Sequence, residues 1–102
     1  MIIDSHCHLN YEPMSLSLKE TIKRANNDGV KYLLTISTED KSFNKILNII
    51  SHNKCVYGSY GIHPHEAKNH KTIKSVDIIN KVYSNKKIIG IGESGLDFYY
   101  NY

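Results

Sequence analysis

Cysteine occurs only twice in the chain, as Cys7 and Cys55, and proline only twice. Two cysteines cannot build a disulfide framework. With one of them inside a histidine motif, reduced thiols in a cytoplasmic protein are the expected state. Long hydrophobic runs are missing as well. No apolar stretch approaches the ~20 residues that cross a bilayer, and Asp4 falls where a signal peptide needs a basic start and then an apolar run. Charge of one sign is nowhere concentrated: Lys and Glu are scattered without a block of about five or more like charges. The net charge of +3 leaves room for an acidic partner such as nucleic acid but names none. Arginine appears once, at Arg24. Internal repeats, low-complexity segments and linkers are all lacking, which leaves residues 1–102 as one unit at most.

What is present is enough apolar material for a core, 40% of 102 residues, in patterns that change period along the chain. The apolar pair Ile2 and Ile3 leads into "DSHCH", read as a first strand. Ser17 with Glu20 three residues later makes a capping box, and Leu18, Ile22 and Ala25 recur at helical spacing until Asp28 and Gly29 stop them. "VKYLLTIS" (30–37) reads as a second strand, and Phe43, Ile46, Leu47 and Ile50 as a second helix. "CVYGSYGI" (55–62) is a third strand; Ile73, Val76, Ile79 and Val82 predict a third helix; "IIGIGE" (88–93) is a fourth strand. The order β-α-β-α-β-α-β, with near-continuous apolar strands, predicts an α/β protein with a parallel sheet and right-handed crossovers.

Alternation along the first strand turns Asp4, His6 and His8 one way and Ser5 and Cys7 the other. Two imidazoles on one face suit a divalent cation, but two ligands make an incomplete site. Glu93 supplies a third. It ends an apolar strand that has no structural use for a carboxylate, between glycines that allow close backbone approach. In parallel α/β folds ligands sit outside the carboxyl ends of the strands, where His6, His8 and Glu93 all fall. A carboxylate there can also bridge two cations, an arrangement suited to phosphodiester hydrolysis. His63 and His65, flanking Pro64 in "YGIHPHE", reach the same rim, either to bind a substrate phosphate or as loop histidines. Cys7 reads as a small core residue, and His52 and His70 as surface residues. Asp97 either closes its own loop through backbone amides or orients a ligand. The tail "DFYYNY" either stacks on bases or packs.

With "DSHCHLN", "GIHPHE" and "IGIGESGLDFYY" in this order and spacing, the chain resembles the TatD family of metal-dependent deoxyribonucleases, (βα)8 barrels related to the amidohydrolases. The resemblance implies one or two divalent cations, with Mg, Mn and Zn not distinguished, held by His6, His8 and a bridging, catalytic Glu93. It further implies DNA as substrate, with His63 and His65 on the substrate side. Such barrels take about 250 residues, so the expected fold is the N-terminal half of a TIM barrel, a truncated form with little or no activity alone. Two histidines and an aspartate on later strands of the family have no counterpart. Open sheet edges predict self-association. Two other readings stay open: an inactive gene remnant, and a small α/β binding module. The absence of a glycine-rich loop after the first strand argues against the binding module.

Overall fold

The computed structural model describes residues 1–100. Four strands, β1 (Ile2–Cys7), β2 (Val30–Thr35), β3 (Val56–Tyr60) and β4 (Ile88–Ile91), alternate with three helices, α1 (Leu18–Asn27), α2 (Phe43–His52) and α3 (Ser75–Tyr83). All strand pairs are parallel, in the order β1-β2-β3-β4. Each strand therefore lies beside the next one in sequence, which is the arrangement of consecutive strands in a barrel wall. The α/β alternation expected from the sequence is the one observed.

One face of the sheet is covered by helices and the other is open. Leu33, Val56, Tyr60 and Ile88 from the strands meet Ile22 of α1 and Phe43, Ile46, Ile49 and Ile50 of α2 in a single core. Phe43 packs edge-on against Tyr60, with ring centroids 4.7 Å apart. Gly58 belongs to this packing, because a Cβ there would sit 2.8 Å from Cγ2 of Ile46. On the opposite face Ile3, Tyr32, Leu34, Tyr57 and Ile89 line a shallow apolar groove. Ile3, Ile89 and Ile91 are more than half exposed there.

Three local expectations are corrected. Ser17 makes no side-chain cap; a 3-10 turn over Met14–Ser17 runs directly into α1 and takes over the helix entry. In α3 Ile78 and Val82 are the partly buried side chains packed on the core, with Ile73 joining from before the helix; Ile73 and Val82 pack as expected, while Val76 and Ile79 are exposed and Ile78 packs instead. Both the Val76–Ile79 and the Ile78–Val82 pair have helical spacing, and the sequence pattern alone does not choose between them. In β1 the alternation breaks. Asp4 to Cys7 is matched by only Leu33 to Thr35 of β2, so the strand bulges between them; Cys7 nevertheless packs on the core side, as expected of it.

Candidate metal centre

The candidate residues sit at or just past strand ends, His6 within the last two residues of β1, and hydrogen bonds to the neighbouring strand and the loop after it tie these segments down. Beyond β4, the Gly92 amide donates to the Tyr60 carbonyl at 2.9 Å and the Glu93 amide to the Ser37 carbonyl at 2.8 Å. The Ser59 hydroxyl, buried, donates to the Gly92 carbonyl at 2.8 Å. Gly61 makes this approach sterically feasible, since a Cβ there would lie 2.6 Å from the Gly92 carbonyl oxygen. Beyond β3, the His63 amide donates to the Thr38 carbonyl at 2.8 Å. Beyond β1, the Leu9 amide donates to the buried Thr35 hydroxyl at 3.1 Å.

These ties gather three imidazoles around one carboxylate. Glu93 Oε2 lies 3.6 Å from His6 Nε2 and 3.4 Å from His8 Nε2, and its Oε1 lies 3.6 Å from His63 Nε2. All three distances exceed the roughly 2.7–2.9 Å of a direct charge-assisted bond, so the carboxylate is shared among the rings rather than paired with one. His6, His8 and Glu93 each offer a ligand atom, all within 4.8 Å of one another.

Hydrogen bonds at the far ring nitrogens divide these histidines by chemistry. His8 Nδ1 faces the Ile36 carbonyl at 3.2 Å; a carbonyl only accepts, so Nδ1 carries the proton and Nε2 keeps a lone pair toward Glu93. His63 is the reverse. Its Nδ1 accepts from the His65 amide at 3.0 Å, which puts the proton on Nε2. In this state His8 Nε2 offers a lone pair that a cation could take, and His63 Nε2 offers an N–H that an anion could accept. A lone-pair nitrogen beside a carboxylate, with a second imidazole in reach, is a donor set that fits a divalent cation.

A cavity of about 310 Å³ opens beside the cluster, lined by His8, Tyr11, Thr38, His63, His65, Glu66 and Glu93. A larger groove of about 420 Å³ lies at the amino ends of the strands near Gly29, Val30 and Cys55, but no comparable convergence of imidazoles and carboxylates lines it. Three residues of the smaller cavity escape a reading of the sequence. Tyr11 stacks on His8, with centroids 5.0 Å apart and planes 14° from parallel, and its hydroxyl bonds that of Thr38. Thr38 lies just beyond β2, so the same rule that singles out the other strand ends could have nominated it. Glu66, in the 3-10 helix Pro64–Asn69, carries no comparable signal.

The remaining candidates fall as follows. Cys7 is half-buried, donates to the Leu34 carbonyl, and its thiol is pushed up to about 12 by burial, with Asp4 adding to it; it packs as a core residue. His52 is exposed. His70 is not a free surface residue: its Nδ1 meets the Glu66 carbonyl at 2.8 Å and its Nε2 accepts from the Asp40 amide at 3.3 Å. Asp97 bonds backbone amides of its own loop and also His65. Phe98, Tyr99 and Tyr100 are exposed, while Asn101 and Tyr102 lie outside the described residues.

The sequence matches the family model described as TatD related DNase over residues 3–102. The chain belongs to the TatD family. It is 36% identical over 103 residues to an uncharacterized metal-dependent hydrolase of Buchnera aphidicola, covering 98% of this chain and 38% of that protein. It is 29% identical over 105 residues to the human deoxyribonuclease TATDN3, covering 95% and 38%. The crystal structure of YjjV, a TatD homologue from Escherichia coli, superposes with a TM-score of 0.82 at 25% identity, covering 98% of this chain and 39% of that one. The chain thus spans about two fifths of the length of these TatD relatives, and its fold is the first four strands of their barrel.

Proposed function

We propose that this chain contributes the metal-binding rim of a divalent-metal-dependent phosphodiesterase acting on DNA. The observation that carries the reading is the single carboxylate of Glu93 facing His6, His8 and His63 at the carboxyl ends of β1, β3 and β4. His6, His8 and Glu93 would hold one or two divalent cations, which when bound would supply Lewis-acid activation of water and neutralise charge at phosphorus. Glu93, accessible from the cavity, is the group placed to bridge and to take part in catalysis. His63, with its proton on Nε2, and His65 on the cavity wall would bind substrate phosphate. The name of the human relative supports DNA as substrate. Free thiols at Cys7 and Cys55 support a reducing, cytoplasmic setting.

Residues 1–102 act here as part of a barrel domain. By themselves they would have little activity, because the apolar groove of Ile3, Tyr32, Leu34, Tyr57 and Ile89 meets water and both β1 and β4 are edge strands. Titration of Mn²⁺ or Zn²⁺ by calorimetry tests the metal assignment: binding is expected in the wild type, weakening on acidification as protons compete for the imidazoles, and lost in His6→Ala. Equal heats in both proteins would remove the assignment.

A further inference from the structure

Two side chains at the cavity, Tyr11 and Thr38, have no part in the metal reading. Tyr11 ends a tight turn in which its amide donates to the His8 carbonyl at 3.2 Å, the i to i+3 bond of a β-turn. Leu9 and Asn10, the middle of that turn, are buried, and the Thr35 hydroxyl holds the Leu9 amide. The turn folds Tyr11 back over His8, where the two rings lie 14° from parallel with centroids 5.0 Å apart. At 42% exposure the Tyr11 side chain has room to swing away. A second restraint prevents this: its hydroxyl bonds that of Thr38, which is buried and whose carbonyl also accepts the His63 amide at 2.8 Å. Tyr11 is therefore fixed at both ends, by its backbone to the end of β1 and by its hydroxyl to the segment after β2.

We propose that Tyr11 is a positioning residue that holds the His8 ring in the plane from which Nε2 meets a divalent cation. The proposal rests on the metal reading of the site. The bond from His8 Nδ1–H to the Ile36 carbonyl selects the tautomer, but at 3.2 Å it is long and grips one atom at the edge of the ring. The stacked tyrosine supports the whole face and keeps the ring where that bond can form. The sign of the effect follows from charge. Coordination draws electron density out of an imidazole, and the electron-rich face of a tyrosine favours an electron-poor neighbour, so the stack favours the metal-loaded state.

Three substitutions separate orientation from packing. Tyr11→Leu removes the aromatic face, Tyr11→Phe keeps the face but loses its tether, and Thr38→Val removes the other half of that tether at nearly constant shape. The test uses the full ¹⁵N-labelled chain. Long-range ¹H–¹⁵N spectra at about pH 8, where imidazole is neutral, read the His8 tautomer without metal, and calorimetry reads Mn²⁺ affinity. His8 is expected as Nδ1–H in the wild type and as an averaged mixture of tautomers in Tyr11→Leu. Mn²⁺ affinity of Tyr11→Leu should be about tenfold weaker, with the amide spectrum of the four strands unchanged. Tyr11→Phe and Thr38→Val should fall between the two, and the double variant should be no weaker than the weaker single one, since both remove the same bond. Undiminished Mn²⁺ affinity in Tyr11→Leu, or an unaltered His8 tautomer there, would overturn the proposal. So would a lost strand spectrum in Tyr11→Leu with wild-type affinity in both Tyr11→Phe and Thr38→Val, because Tyr11 would then serve packing alone. The tautomer is read without metal, so a wild type that bound no Mn²⁺ would count against the metal reading, whereas an unaltered tautomer counts against Tyr11.

Discussion

A single backbone carbonyl separates His8 from His63. Ile36 O accepts from the Nδ1–H of His8 and leaves a lone pair on Nε2, whereas the His65 amide donates to Nδ1 of His63 and makes Nε2 a donor. Spacing in the sequence puts both histidines at the rim but carries no information on tautomer, which depends on what the fold sets behind each ring. Cys7 shows the complementary case, a potentially reactive group switched off by its surroundings. Its thiol is pushed from 9.0 to about 12 mainly by burial. The folded chain therefore keeps a proton that the unfolded chain releases between those values, and stability is held below pH 9 and falls as pH rises through that window. Alkylation by iodoacetamide at pH 8 should consequently be slow at Cys7 in the native chain and fast once denaturant is added. Rapid native labelling, read by mass spectrometry, would contradict the buried assignment.

Strands and helices were legible from period and punctuation, and so was the rim, because His6, His8 and Glu93 all lie at carboxyl ends of strands. Details that depend on one element meeting another were not. The bulge in β1 comes from pairing with β2, and the packing of Ile78 in place of Val76 and Ile79 comes from how α3 settles on β3 and β4. Ile78→Ala should therefore cost about 1–3 kcal/mol and Val76→Ala less than about 0.5 kcal/mol, as read by urea denaturation. The Asp97–His65 bond was hidden for a similar reason: 32 residues separate them, and only the return of the loop after β4 joins them. Gly61 links element to site. Gly61→Ala should push the Gly92–Glu93 backbone away from β3, costing about 1–3 kcal/mol and weakening Mn²⁺ binding; retained affinity would show that Glu93 does not depend on this contact.

For the whole chain, one sheet face has helices and the other has Ile3, Ile89 and Ile91 more than half exposed. Two edge strands and an apolar face predict concentration-dependent association, measurable by sedimentation velocity; a monodisperse monomer across a hundredfold dilution would contradict it. The metal centre is the claim on which the functional reading turns, and Glu93 is its most direct handle. Thermal melts of wild type and Glu93→Gln, each with and without excess Mn²⁺, separate metal binding from folding. The two proteins should melt together without metal, within about 0.5 kcal/mol of stability. Mn²⁺ at about a hundred times its dissociation constant should raise the wild-type midpoint by on the order of 10 °C and leave Glu93→Gln nearly unmoved. A large loss of melting temperature in metal-free Glu93→Gln, or an equal rise in both proteins, would make Glu93 a structural residue and contradict the account.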